Sequence, residues 1–183
     1  MLARPTLFLT VGLPGTGKTT AARLIEVEEG ALRLTKDEWM KALYGDANPS
    51  SGSDVIEGRL VEIGLRALEL GTSVVIDFGL WGRDERSSLR QAAADRGAVV
   101  DMRYFEVPPD EQRRRLAARL ADAPHTTWPL SDDEVASYAA VISVPTPGEL
   151  AGTEAIDDPP DGFATWGDWR AERWPPAVTA EDR

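Results

Sequence analysis

Short apolar runs alternate with longer amphipathic stretches along this chain, and the spacing within each assigns it to strand or helix. "TLFLTV" (6–11), "ALRLT" (31–35), "SVVIDF" (73–78) and "AVVDMRYFEV" (98–107) each read as a strand, and "TEAIDD" (153–158) supplies a fifth and last one. Between them the period changes to that of a helix. "KTTAARLIEVEE" (18–29) is made of good helix formers, and "KDEWMKALYG" (36–45) is a polar start that turns into helix. The next helix runs from Asp54 to Leu70, with Val55, Ile56, Leu60, Ile63 and Leu68 apolar and Gly71 as its stop. Helices over 84–97, closed by Gly97, and over 108–122 and 131–143 follow, the last with Ser131 as N-cap and Glu134 completing a capping box. "GDANPSSGSD" (45–54) reads as a turn-rich loop. Strands that alternate with helices in this way predict an α/β fold, a parallel five-stranded sheet wrapped by helices on both faces.

Composition narrows the setting. A chain of 183 residues is expected to form one domain with a proper core. Residues 1–158 carry the α/β pattern. Residues 159–183 form a proline-bounded aromatic tail, in which Phe163, Trp166, Trp169 and Trp174 are expected to staple it to the same domain and Thr165 with Asp168 fits a second capping box. The absence of cysteine excludes thiol catalysis and fits a reducing cytosol. No apolar run reaches the roughly 18 residues that span a bilayer, and the first residues lack a signal-peptide pattern, so a cytoplasmic protein without a membrane partner is expected. The net charge of −11 repels a long nucleic acid on average, which makes that partner class unfavoured while leaving room for a local basic groove.

Chemistry enters with "GLPGTGKTT" (12–20), which follows the first strand and opens the first helix. Glycines alone describe an ordinary strand-to-helix turn. Lys18 and Thr19 do not follow from that description. They complete the pattern G-x-x-x-x-G-K-[ST], whose backbone N–H groups point into one concavity at a helix N-terminus and attract a polyphosphate. Gly12, Leu13, Pro14, Gly15, Thr16, Gly17, Lys18, Thr19 and Thr20 are therefore the expected nucleotide-binding residues. Lys18 would reach the β- and γ-phosphates, and the Thr19 hydroxyl would ligate Mg²⁺.

Ligands of open α/β sheets sit outside the carboxyl ends of the strands, so Asp37 and Asp77 converge on this loop. Asp77 closes an apolar strand as the second half of a phosphate-loop metal site does. Asp37 is the candidate general base, because a kinase needs a carboxylate to orient and deprotonate an acceptor hydroxyl; the competing reading is a helix cap. Arg115 and Arg119 lie four apart on one helical face and suit a cationic lid, over about 108–130, closing on a triphosphate. Arg113, Arg114 and His125 read as solvated surface and loop residues. Trp81 has two readings, wall of an acceptor pocket or core packing.

Together, "GLPGTGKTT", "TKDEWMKALYG", "VVIDFGLWGRDERSSLR", "RRRLAAR" and "VPTPGEL", in this order and spacing, resemble P-loop kinases of the polynucleotide-kinase-like and zeta-toxin-like type, a group labelled AAA-type ATP-binding proteins. The resemblance covers about residues 5 to 150. It implies a P-loop NTPase fold with strand order 2-3-1-4-5, ATP at the loop, Asp37 as base, Arg115 and Arg119 as lid arginines, and phosphorylation of a hydroxyl. One position departs from the pattern. Where phage-type polynucleotide kinase grips its acceptor's phosphate with an arginine three residues after the base, this chain has Met40, and Lys41 points about 100° away on a helix. The expected function is thus an ATP- and Mg²⁺-dependent kinase acting on a small-molecule hydroxyl, such as that of an antibiotic or nucleoside-like metabolite. A polynucleotide 5′-hydroxyl kinase and a nucleotide-gated, toxin-like regulator with slow ATPase activity are the alternatives.

Overall fold

A computed structural model describes residues 4–177, so positions 178–183 of the aromatic tail lie outside the described residues. The first strand, β1 (Thr6–Gly12), feeds helix α1 (Lys18–Glu29) through the glycine-rich turn. β2 (Leu32–Thr35) runs directly into α2 (Lys36–Tyr44), and α3 (Ser50–Glu69) returns the chain to β3 (Val74–Asp77). α4 (Arg83–Asp95), β4 (Val99–Phe105) and α5 (Pro109–Asp122) follow. A 3-10 turn (Pro124–Thr126), α6 (Asp132–Val141), the short α7 (Pro147–Leu150) and α8 (Trp166–Arg173) complete the order.

All strand pairs are parallel, in the order β2-β3-β1-β4. The central strand β1 is buried along its apolar length, with Leu9 and Val11 fully inaccessible, because helices cover both faces of a parallel sheet. The larger core joins Leu7, Leu9 and Val11 to Leu60, Leu68, Ile76 and Leu89, and a smaller one places Phe8 and Val75 against Ala22 and Ile25 of α1. Both predicted capping boxes form, at Ser131 with Glu134 and at Thr165 with Asp168.

Two sequence expectations are corrected. The sheet has four strands, and 153–158 is not a fifth. The backbone N–H groups of Thr153 and Glu154 both donate to the carbonyl of Gly148, at 3.0 and 3.1 Å, which closes the turn after α7 and leaves them unavailable to a ladder. Carboxylates of the same segment are drawn to α4, where Arg83 bonds Asp157 at 2.6 Å and also holds Glu154. The second correction concerns 45–54, whose last residues are helix from Ser50 onward. Gly52 is buried there because the Tyr44 ring occupies its side: a Cβ at 52 would lie 2.8 Å from the Tyr44 hydroxyl oxygen.

The tail packs on the body through its rings. Trp174 is buried in the larger core and donates its indole N–H to Glu57 at 3.1 Å, while Trp166 donates to the carbonyl of Asp157. Trp169 meets both edge-on, at centroid distances of 5.6 and 5.9 Å.

Candidate active site

The glycine-rich turn takes backbone conformations that side chains resist. Gly12, Gly15 and Gly17 have φ of 148°, 80° and 106°. A Cβ at Gly12 would collide with the carbonyl oxygen of Phe105 at the end of β4, so this residue lets β1 and β4 stay paired to the last residue of each. Gly17 then caps α1, and the N–H groups of the first turn open toward the loop. Lys18 folds back over it, and its ammonium donates to the Leu13 carbonyl at 2.8 Å, beside the Thr16 hydroxyl bonded to the same oxygen. Burial holds Lys18 below the usual lysine range, at about 8, against the opposing pull of Asp77 and then Asp37. Thr20 lies exposed one residue beyond Thr19.

Asp77 ends β3 in a buried position, and its Oδ1 accepts the Thr19 hydroxyl at 3.1 Å. Its other oxygen accepts Arg33 Nη1 at 3.1 Å. Burial pushes the Asp77 carboxyl above the usual carboxylate range, with Thr19 and Arg33 pulling it partly back. This hydroxyl–carboxylate pair fits Mg²⁺, which keeps several waters and takes one or two carboxylates plus substrate phosphates in place of an all-protein cage. Among the described residues, no cluster of three or more His, Cys, Asp or Glu is arranged to hold a metal.

Asp37 sits in the first turn of α2, carried there by β2 running into the helix without a loop. It is not a cap. Its one hydrogen bond among the described residues is to Arg119 Nη2, at 3.4 Å, and it makes none to a backbone N–H. Glu38 faces outward to Arg33 and Arg23. Lys36, beside Asp37, pairs with Glu57 at 3.0 Å; burial opposes its charge, but Glu57 and Asp37 outweigh burial and hold it above the usual range. Met40 is fully buried in the core, and Lys41 is turned to Asp46 and over the Trp128 ring, so α2 aims no cation of that turn into the cleft.

Helix α5 is docked on the outside of the phosphate loop. Gln112, itself buried, donates its amide to the Pro14 carbonyl at 2.7 Å, and Arg115 donates to the Thr16 carbonyl at 3.4 Å while bonding Glu111 at 2.6 Å. Leu116 covers Gly15 so closely that a Cβ there would lie 2.9 Å from Leu116 Cγ. Arg113 and Arg114 are exposed and pair with Asp110 and Glu111, and His125 is an exposed residue of the 3-10 turn. The structure therefore brings Lys18, Thr19, Asp77, Asp37, Arg115 and Arg119 around one loop. Sequence reasoning missed Gln112, Leu116, Arg33 and Lys36. Gln112 and Leu116 lie on the face that carries Arg115 and Arg119, so helical spacing pointed to them; Arg33 left no local signal.

An AAA domain family model matches residues 7–141. The chain belongs to this family. The matched span holds β1 from its second residue on, the other three strands, the phosphate loop, Asp37 and α5. Comparison with curated proteins finds no match. Among solved structures, the Pnkp1/Rnl/Hen1 RNA repair complex aligns over 86% of this chain at 20% identity with a TM-score of 0.64, and this chain spans 48% of that chain's length. Kti12 of Chaetomium thermophilum, in complex with ADP-AlF3, aligns over 77% of this chain and 82% of its own at 16% identity and TM-score 0.58. APS kinase CysC of Mycobacterium tuberculosis, in complex with AMPPNP and APS, aligns over 64% and 72% at 24% identity and TM-score 0.52. These likenesses establish the P-loop NTPase fold, with a sheet of four strands in this chain. No helix among the described residues is long and apolar enough to cross a membrane.

Proposed function

We propose that this protein is an ATP-dependent kinase that transfers the terminal phosphoryl group to a hydroxyl of a small molecule, of the antibiotic or nucleoside-like class. The observation that carries this reading is the placement of Asp37 on the lid arginine Arg119, both within electrostatic reach of Lys18. A pure nucleotide switch has no need of a carboxylate at that point. In the proposed reaction the backbone N–H groups of Gly15 to Thr19 cradle the β-phosphate, and Lys18 with Arg115 and Arg119 compensates charge on the transferring group. Asp37 orients the acceptor hydroxyl and accepts its proton as the new O–P bond forms and the bond to the ADP oxygen breaks. Thr19 and Asp77 would hold Mg²⁺, which supplies charge neutralisation to the β- and γ-oxygens. Docking of Gln112 and Leu116 on the outside of the loop holds it in the shape that cradles phosphate.

The buried Met40 and the engaged Lys41, with a net charge of −11, favour a small acceptor over a polynucleotide. A transfer screen with γ-labelled ATP across antibiotics, nucleosides and oligonucleotides tests the proposal. Slow ATP hydrolysis that an acceptor converts into labelled product supports it. Efficient labelling of an oligonucleotide 5′ end would replace the small acceptor with a polynucleotide, and steady hydrolysis that no acceptor stimulates would replace the kinase with a nucleotide switch.

A further inference from the structure

The loop after β3, "FGLWG" (78–82), is shaped around one side chain. Leu80 is the sole non-glycine among the described residues with a positive φ, 46°, and its own side chain is buried. Such strain persists only where surrounding structure imposes it, and it clusters at functional sites. The imposed turn carries Trp81 across to the phosphate loop, where the indole N–H donates to the Gly12 carbonyl at 3.0 Å. Gly79 lies under the ring: a Cβ there would stand 2.6 Å from the indole nitrogen. Tyr138 of α6 stacks on the same indole, centroids 4.8 Å apart and planes 36° from parallel.

This pair is not core packing. Neither ring belongs to the hydrophobic clusters, and both remain partly exposed. Helix α6 buries none of its residues, and Val141 at its end and Val144 beyond it stay open to solvent. It is tied to Trp81 through Tyr138 and, just past the helix, through Ser143, whose N–H donates to the Trp81 carbonyl at 2.9 Å, and to α5 through Asp132, which pairs with the exposed Arg113 at 3.3 Å. Position along the cleft then decides what the rings face. Trp81 holds the Gly12 carbonyl, and the Lys18 ammonium holds the next one, that of Leu13. Since Lys18 serves the terminal phosphates, the rings border the phosphoryl-transfer end, and the nucleoside of ATP extends away from it.

Resting on the kinase reading above, we propose that Trp81 and Tyr138 form the acceptor platform, and that the acceptor carries a planar ring which packs on them beside its reacting hydroxyl. The test uses the full chain saturated with AMPPNP, so that the nucleotide site is filled, and measures calorimetric binding of adenosine, uridine and phenyl β-glucoside against ribose and glucose. At least one ring compound binds wild type while the ring-free sugars do not. Trp81→Leu then weakens that binding roughly ten-fold or more, the scale of one lost stacking partner. Trp81→Phe keeps the ring without the N–H and retains most of it. Both variants lose the bond to Gly12, so any loss of AMPPNP affinity is the same in the two and smaller than the loss of ring binding in Trp81→Leu. Ring compounds that fail to bind wild type, or equal losses of AMPPNP and ring binding in Trp81→Leu, overturn the platform. Wild type that fails to bind AMPPNP at all overturns the kinase reading instead.

Discussion

Lys18 makes the phosphate loop answer to pH in a direction that can be worked out. Burial holds its pKa at about 8, down from 10.5, so the unliganded ammonium is half neutral near pH 8. A triphosphate in the cradle favours the charged form and raises the pKa again, so nucleotide binding takes up a proton above pH 8. The protonated fraction falls from about three-quarters at pH 7.5 to about one-thirtieth at pH 9.5, so affinity weakens about 25-fold across that interval. Isothermal titration of AMPPNP in Tris and in EPPS reads this twice, once as Kd against pH and once as a buffer-dependent enthalpy that counts the protons. Lys18→Ala removes the pH dependence and costs affinity by about 1.5–3 kcal/mol for each charge-assisted bond lost. The same shift acts on folding with a definite sign. Between about pH 8 and 10.5 the unfolded chain holds the proton that the folded one releases, so this group's contribution to stability rises with pH across that window. A Kd flat from pH 7.5 to 9.5 with no proton uptake would refute the placement of Lys18 against phosphate.

Two further substitutions probe the packing behind the site. Gly15→Ala puts a side chain at φ 80° and 2.9 Å from Leu116 Cγ, so it should unseat α5 and weaken AMPPNP binding. Its strain of about 1–2 kcal/mol lowers Tm by roughly 2–8 °C at the slope usual for a chain of this size, read by thermal scanning with and without nucleotide. Arg86→Met leaves Glu149 charged and fully buried without its 2.6 Å partner, a loss of about 3–5 kcal/mol by thermal or urea unfolding. The double variant Arg86→Met with Glu149→Leu should recover most of it.

What the sequence disclosed follows the range of the interactions involved. The phosphate loop is one contiguous stretch whose glycines, lysine and threonine each have a local reason, so Gly12 to Thr20 could be read directly. Asp37 and Asp77 were legible because strand ends in a parallel sheet point to one edge. Arg33 was not, since its bond to Asp77 joins residues 44 apart and an arginine in a strand is ordinary. Gln112 meets Pro14 across 98 residues. Composition also misled in two places. Ser50 to Ser53 read as loop because the stretch 45–54 is rich in Gly, Asn, Pro and Ser, whereas Gly52 serves a helix by admitting Tyr44. The segment 153–158 had a strand's length, but the carbonyl of Gly148 and the guanidinium of Arg83 had already claimed its polar groups.

The central claim, that Asp37 is the base of a phosphoryl transfer, is tested most directly by Asp37→Asn in the labelled transfer assay with an acceptor found by the screen. The account predicts AMPPNP affinity within a few-fold of wild type and transfer reduced about 10²- to 10⁴-fold, the usual contribution of a positioned acid–base group. Transfer at the wild-type rate in a variant that binds nucleotide normally would contradict it.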